Sequence, residues 1–382
     1  MENSSILSFD NASSRQEMEK FALVQYFCAL EVKFYLNTLF AGALCLLGMA
    51  GNSLSFIVLN RDRESPVASF LLQSLSLTDN FFLAFWFLHF SINAMFEHFR
   101  WVRHFHPTWI FIRVYSYPLV FVGQTAMIWM TVLIAVSRYI AVCVPYKASY
   151  ICNLPRMKLA AGIVLFMSLL YNIPRYFENT VMRRERNGSV SYIFRQTDLP
   201  NDPLYRRVYF DFMYYIFSFV LPLIILAVLN TRLVLAYRLI QKRRQALRGR
   251  STSEGQDNNI TLIMIIVIVV FMVCNAPARI FQIVQKYEGN TMCWSAAFVI
   301  GEITNILEVL NSSANFIVYC AFRKKFRHIL RDTLCECCLL SKSGESLEMT
   351  NGQTDPDKKP LTSSYKMNNG RNEATVDTEV EL

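Results

Sequence analysis

The chain is 382 residues long, with 53% hydrophobic, 14% aromatic and 18% charged residues and a formal net charge of +9. Ordinary soluble domains carry about 25% charged residues. This balance excludes a disordered chain and argues against a water-soluble enzyme. The basic residues fall between long apolar runs rather than on one soluble face, so nucleic acid is not the expected partner. Ten cysteines in a chain of this length do not make a disulfide scaffold.

The apolar pattern predicts seven membrane spans, at 36–60, 67–95, 111–143, 157–175, 209–239, 259–285 and 295–321. The expected fold is an all-α membrane protein, a seven-transmembrane helix bundle with a short amphipathic cytoplasmic helix. Its expected parts are an extracellular glycosylated N-terminus (1–35), the bundle (36–321), an amphipathic helix with a Cys cluster (322–340) and a disordered cytoplasmic tail (341–382). No basic flank followed by a long apolar core opens the chain, so no cleavable signal peptide is expected. The sequons at Asn3, Asn11 and Asn187 all fall outside if 1–35 is outside. Short cytoplasmic connections are basic, at Lys147, Arg156 and Lys158, at Lys242 to Arg250, and at Arg323 to Arg327. The outer loop is basic too, with Arg183, Arg184, Arg186, Arg195, Arg206 and Arg207, which runs against a simple charge count.

Several polar residues sit inside the spans. Asp79 is a mid-membrane carboxylate and needs partners, which Asn52, Asn311, Ser312 and Asn315 can supply. Such a cluster either holds a sodium ion, the one cofactor expected, or is a hydrogen-bond knot. Ser137-Arg138-Tyr139 closes the third span. Phe219 to Pro222, Phe271 to Pro277 and Asn311 to Tyr319 lie in the fifth, sixth and seventh. Cys335, Cys337 and Cys338 follow the amphipathic stretch and are palmitoylation candidates by position, the alternative being idle thiols. Val380, Glu381 and Leu382 have the form of a PDZ-binding end.

Taken in order, these motifs resemble a rhodopsin-like (class A) G-protein-coupled receptor over about residues 36–335. The runs Lys147 to Cys152, Tyr171 to Glu178, Leu229 to Arg232, Cys274 to Ala278 and Asn311 to Phe316 are similar to FMRFamide-type neuropeptide receptors. The resemblance implies a secreted, amidated RFamide-like peptide outside and a heterotrimeric G protein inside, with arrestin and receptor kinases as further partners. It also implies residence in the plasma membrane, multi-pass, with the C-terminus cytoplasmic, and no enzymatic activity. Arg138 and Tyr139 would meet the G protein, Asp257 would either pair with Arg138 or stand solvated in its loop, and Ile128, Pro222 and Phe271 would form the packed switch. Pro277 would hinge the sixth helix, with Asn315 and Tyr319 in the relay. The sequence departs from the family pattern at Ser137, where an acid is usual, at Asn275, where Trp is common, and at Asn230. The usual outer disulfide is missing, because Arg113 takes one Cys position and 176–208 contain no Cys. The resemblance offers Cys28 and Cys293 as an alternative bridge.

Between Phe111 and Val136 no acid is present, and 294–321 contain no Lys, so a biogenic amine and retinal are both disfavoured. The expected ligand-binding residues are His89, Tyr117, Gln124, Asp211, Tyr214, Arg279, Gln282, Glu302 and Glu308. Glu308 faces two readings, an internal salt bridge to Arg279 or a basic group of the ligand. The competing functions are an orphan seven-helix protein that modulates other receptors and a seven-span transporter; no internal repeat supports the latter.

Overall fold

A computed structural model describes residues 29–62, 64–101, 106–186, 189–247, 269–281, 284 and 294–335. The chain divides into two units, 1–333 and 334–382, and the second contributes only Leu334 and Cys335 to the described residues. Asn3, Asn11, Cys28, Asn187, Asp257, Gln282, Cys293, Cys337, Cys338 and the end at Val380, Glu381 and Leu382 lie outside the described residues.

Five helices are long and apolar enough to cross a membrane: α1 (Ala29–Asn60), α2 (Pro66–His98), α3 (Thr108–Cys143), α4 (Leu154–Phe177) and α5 (Pro203–Ile240). The described part of α6 is Val269–Phe281, and α7 is Trp294–Phe322. A further helix, α8, runs over 324–335. The helices start earlier than the apolar runs because polar first turns extend them. Proline fits the first turn, where its missing N–H is not needed, at Pro66, Pro155 and Pro203. Asn153 caps α4 by accepting from the Arg156 N–H, and Asp202 does the same for the Tyr205 N–H.

The bundle is held by small residues and polar cross-links, as expected where lipid removes a hydrophobic drive between helices. A Cβ on Gly123 would stand 2.9 Å from the Phe82 Cα, so α2 and α3 approach through this glycine. Gly48 likewise lets Ser313 reach α1, where its hydroxyl donates to the Leu44 carbonyl at 3.1 Å. Asn172 donates to Thr125 at 3.1 Å and joins α4 to α3. Many large apolar side chains point outward, including Leu47, Leu77, Phe166, Val228 and Ile317. That face suits lipid rather than water.

The connection between α4 and α5 departs from the expected helix-and-loop plan. Asn179–Arg186 (β1) and Ser189–Gln196 (β2) pair as an antiparallel hairpin. It carries Arg183, Arg184 and Arg195, with Asn179 paired to Gln196 and Arg184 to Ser191 in register. The hairpin meets the outer end of α3, where the Arg113 guanidinium stands 5.4 Å from the Phe194 ring and Phe111 lies 5.6 Å from Tyr192. Arg113 thus contacts the outer loop at the very position where the family pattern has a bridging Cys.

On the opposite side, Asp62 joins the first loop to α8. It accepts from Arg323 at 2.5 Å, Lys325 at 2.7 Å and Ser69 at 3.2 Å. Burial pushes its carboxyl up, but the Lys325 hydrogen bond, the charges of Arg323 and Lys325 and the Ser69 hydroxyl together hold it below the usual carboxylate range. Helix α8 buries Phe326 and Thr333, seven residues and about two turns apart, and exposes Lys324, Arg327 and His328, while the buried Arg323 lies just before it. Arg327 donates to the Cys320 and Ala321 carbonyls, which closes the end of α7.

Candidate functional site

A cavity of about 410 Å³ opens between α3, α4 and α5. Its walls are Tyr117 and Phe121 from α3, Arg175 from α4, and Arg206, Phe210, Asp211, Tyr214 and Tyr215 from α5, with Pro200 on the approach. The volume falls in the range of about 300–1,000 Å³ typical of small-ligand pockets. In α5 the hydrogen bonding widens to π-type turns over Arg206–Tyr214 and Ile216–Val220. Such turns re-aim side chains and recur at functional sites.

Of the expected ligand residues, Tyr117, Asp211 and Tyr214 line this cavity. Three others form a buried chain beneath it. Arg279 of α6 donates to the Tyr214 hydroxyl and to Glu308 at 2.7 Å, and Gln124 of α3 donates to the other Glu308 oxygen at 2.6 Å. Arg279 is 1% and Glu308 6% exposed. A mid-membrane carboxylate needs compensation of this kind, and the chain joins α3, α5, α6 and α7 in one hydrogen-bonded unit. In this arrangement Glu308 meets Arg279 rather than standing open to a ligand.

Two expected residues lie elsewhere. Glu302 turns towards α1 and accepts from Asn37 at 3.0 Å. His89 bonds the Ser116 hydroxyl at 3.0 Å, with its ring 5.2 Å from Tyr117, so it supports the cavity wall without lining it. Both were placed by depth in the membrane, and depth does not say which way round a helix a side chain points. Arg175 was missed as a site residue. Its only signal was a charge at the outer end of a span, inside a motif read for resemblance.

Asn315 donates to Asp79 at 2.6 Å. Asn52 instead donates to the Ser312 carbonyl at 3.0 Å, and the Ser312 hydroxyl approaches the Met127 sulfur at 2.9 Å. Asn311 is buried at 7% exposure. The Asn52 Oδ1, Ser55 and Ser76 hydroxyls and Tyr319 hydroxyl are buried without a hydrogen-bond partner. These oxygen atoms are hard donors of the kind a sodium ion accepts.

At the inner end of α3, the Ser137 hydroxyl donates to its own helix at Ile134, 2.8 Å away. Arg138 and Arg323 lie near enough to repel one another. Ile128, Phe271 and Leu226 share one buried cluster, and Pro222 is buried as well. Asn275 donates to the Phe271 carbonyl at 2.8 Å and lies two residues before the half-buried Pro277. Among the described cysteines, Cys335 is exposed at the end of α8.

The profile of the seven-transmembrane receptors of the rhodopsin family matches residues 51–319. The FMRFamide receptor of Drosophila melanogaster is 27% identical over 304 residues, 78% of this chain and 53% of that protein. The sex peptide receptor of the same species is 26% identical over 312 residues, 76% of this chain and 70% of that protein. A Caenorhabditis elegans FMRFamide peptide receptor, frpr-18, is 27% identical over 308 residues, 78% of this chain and 69% of that protein. The chain therefore spans about half of the first of these relatives and just over two thirds of the other two. With five membrane-length helices, and a family match that runs through both remaining spans, the chain is a multi-pass membrane protein and belongs to the rhodopsin family of seven-transmembrane receptors.

Proposed function

We propose that this receptor binds a secreted peptide, an amidated RFamide-like one in the first instance, and passes the signal to a heterotrimeric G protein. The observation that carries the reading is the contact of the cavity wall with the buried chain Tyr214–Arg279–Glu308–Gln124. A ligand that displaces Tyr214 disturbs the bonds that hold α6 against α3 and α7. Pro277 lies half a turn inward from Arg279 and removes one backbone bond of α6, so the inner half of that helix is free to swing. Its movement changes the packing of Phe271 on Ile128 and opens the cytoplasmic side at Arg138. The ligand biases this equilibrium only by binding the open state more tightly.

The names of the relatives support a peptide, and the mixed aromatic and charged lining of the cavity suits one. In this reading the receptor sits in the plasma membrane with residues 1–35 outside and glycosylated at Asn3, Asn11 and Asn187. Arrestin and receptor kinases meet its cytoplasmic side, Cys335, Cys337 and Cys338 carry palmitate, and the end at Val380, Glu381 and Leu382 reaches a PDZ domain. A sodium ion at Asp79 would take its oxygens from Asp79 and the nearby polar groups of Asn52, Ser76 and Ser312, and would supply positive charge that favours the resting bundle. If so, sodium lowers agonist affinity in the wild type and leaves Asp79→Asn unchanged.

The deciding experiment expresses the chain with a promiscuous G-protein reporter and applies a library of synthetic amidated peptides. A dose-dependent response to a member of the library is expected. Silence across the library at confirmed surface display favours the second reading, a seven-helix protein that modulates other receptors, for which Ser137 and the unusual Asn275 speak.

A further inference from the structure

The peptide reading leaves open which group of the ligand reaches the wall of the cavity, and Arg175 bears on that. Arg175 ends α4 and is 2% exposed, yet it lines the cavity. Its guanidinium stands 3.7 Å from the Phe121 ring, 5.1 Å from Tyr214, 5.3 Å from Phe210 and 5.6 Å from Tyr209. Aromatic faces attract the charge but are weak acceptors of its N–H bonds. The Nε of Arg175 has no hydrogen-bond partner. Buried polar groups are almost always hydrogen-bonded, and a charged donor kept from water without an acceptor is costly.

Part of the compensation is a side-chain hydrogen bond between Arg175 and Tyr209. Glu178, three residues on, acts on Arg175 through space, but its Oε1 is engaged by the Tyr205 hydroxyl at 2.8 Å. The charge of the other buried guanidinium of this region, Arg279, is met by Glu308, and Arg279 does not line the cavity. Arg175 is therefore the buried cation of the cavity wall with donor capacity left over. A cavity of about 410 Å³ admits the end of a chain more readily than a chain running through it.

We propose that Arg175 recognises the terminal carbonyl of the ligand, donating a guanidinium N–H to an oxygen of a C-terminal carboxamide or carboxylate while the last side chain packs on Phe121 and Tyr214. The proposal rests on the peptide reading and adds the residue, the bond and the end of the peptide that enters. Arginine serves here because its guanidinium lies 3.7 Å over the Phe121 ring and still carries several donors in a fixed plane.

The test uses synthetic peptides ending in Phe, each made as the carboxamide, as the free acid and as the phenethylamide that lacks the terminal carbonyl group. Potency is read on surface-displayed wild type, Arg175→Gln and Arg175→Lys. The wild type should respond to the carboxamide or the acid about tenfold to hundredfold more strongly than to the phenethylamide. The amide and acid arms tell which oxygen is read. On Arg175→Gln and Arg175→Lys that preference should disappear, because the bond is lost from the receptor side. Should both variants fail to reach the surface, equal potency of the three peptides on wild type still overturns the proposal. An unchanged preference on Arg175→Gln overturns it as well, while leaving the peptide reading intact. Silence of the displayed wild type to every peptide overturns the peptide reading and this proposal with it.

Discussion

Arg279 of α6 and Glu308 of α7 face one another at 2.7 Å with almost no exposure to solvent. The pair is a buried clasp between two helices, and its two charges depend on each other. Removing one partner of such a pair typically costs about 3–5 kcal/mol, because the other charge is left buried and alone. Glu308→Gln should therefore lower the thermal stability of the purified receptor strongly, and Arg279→Gln should do the same. The double variant should be less damaged than the sum of the two. Thermal unfolding of all four proteins in detergent checks this, and strict additivity would show that the clasp carries no coupling energy.

Arg138 has a serine, Ser137, where the family pattern places an acid, and the Ser137 hydroxyl is spent on its own helix. Ser137→Asp should give Arg138 a local partner and lower basal signalling in the absence of ligand. Arg138→Ala should abolish signalling while peptide binding persists. The reporter measures the first, and radioligand binding on membranes separates it from the second. Basal output that rises in Ser137→Asp, or binding that falls with signalling in Arg138→Ala, would contradict the assigned role.

The Asp62 cluster ties the loop between α1 and α2 to α8. Its carboxyl is held below the usual value of 3.8 by Lys325, Arg323 and Ser69 against the opposing effect of burial. A depressed folded-state value means that the contribution is complete above 3.8 and is lost as pH falls through the lower folded value. Asp62→Asn should thus destabilise the receptor at neutral pH by about 1–3 kcal/mol, since charged hydrogen bonds are lost and Arg323 stays buried. Unfolding midpoints between pH 7 and the acid limit should show a steeper acid loss in wild type than in Asp62→Asn.

Arg113 and Phe194 join α3 to the outer hairpin at 5.4 Å, in place of a disulfide. A cation–π contact supplies about 0.5–2 kcal/mol, against about 2–4 kcal/mol for a covalent bridge. The hairpin should accordingly be released more easily than in bridged receptors. Arg113→Ala and Phe194→Ala should each speed proteolysis within 179–196 on intact cells, and the pair together should add little. Protection equal to wild type in both variants would show that the hairpin is held from elsewhere.

The class of this protein was legible in its residues because membrane insertion is a one-dimensional constraint. Runs of apolar residues long enough to span a bilayer mark the helices, and Asp79, Arg138, Pro222, Pro277 and Asn315 mark them in order. Depth along each helix follows from the same count. Azimuth does not, which is why Glu302 was set in the cavity although it faces Asn37 of α1, and why Arg175 was passed over although it forms part of the wall. The hairpin at 179–196 escaped the helical pattern because strand pairing is settled by a partner rather than by period alone. The pairing of Glu308 with Arg279, 29 residues apart in the chain, was one of two readings until the fold brought α6 and α7 together. Composition and spacing determined that the chain crosses a membrane, how often and at what levels its polar groups lie. Only the tertiary structure decided which of those groups meet, because a buried charge selects its partner across helices by rotation and packing, and neither is written in the order of residues.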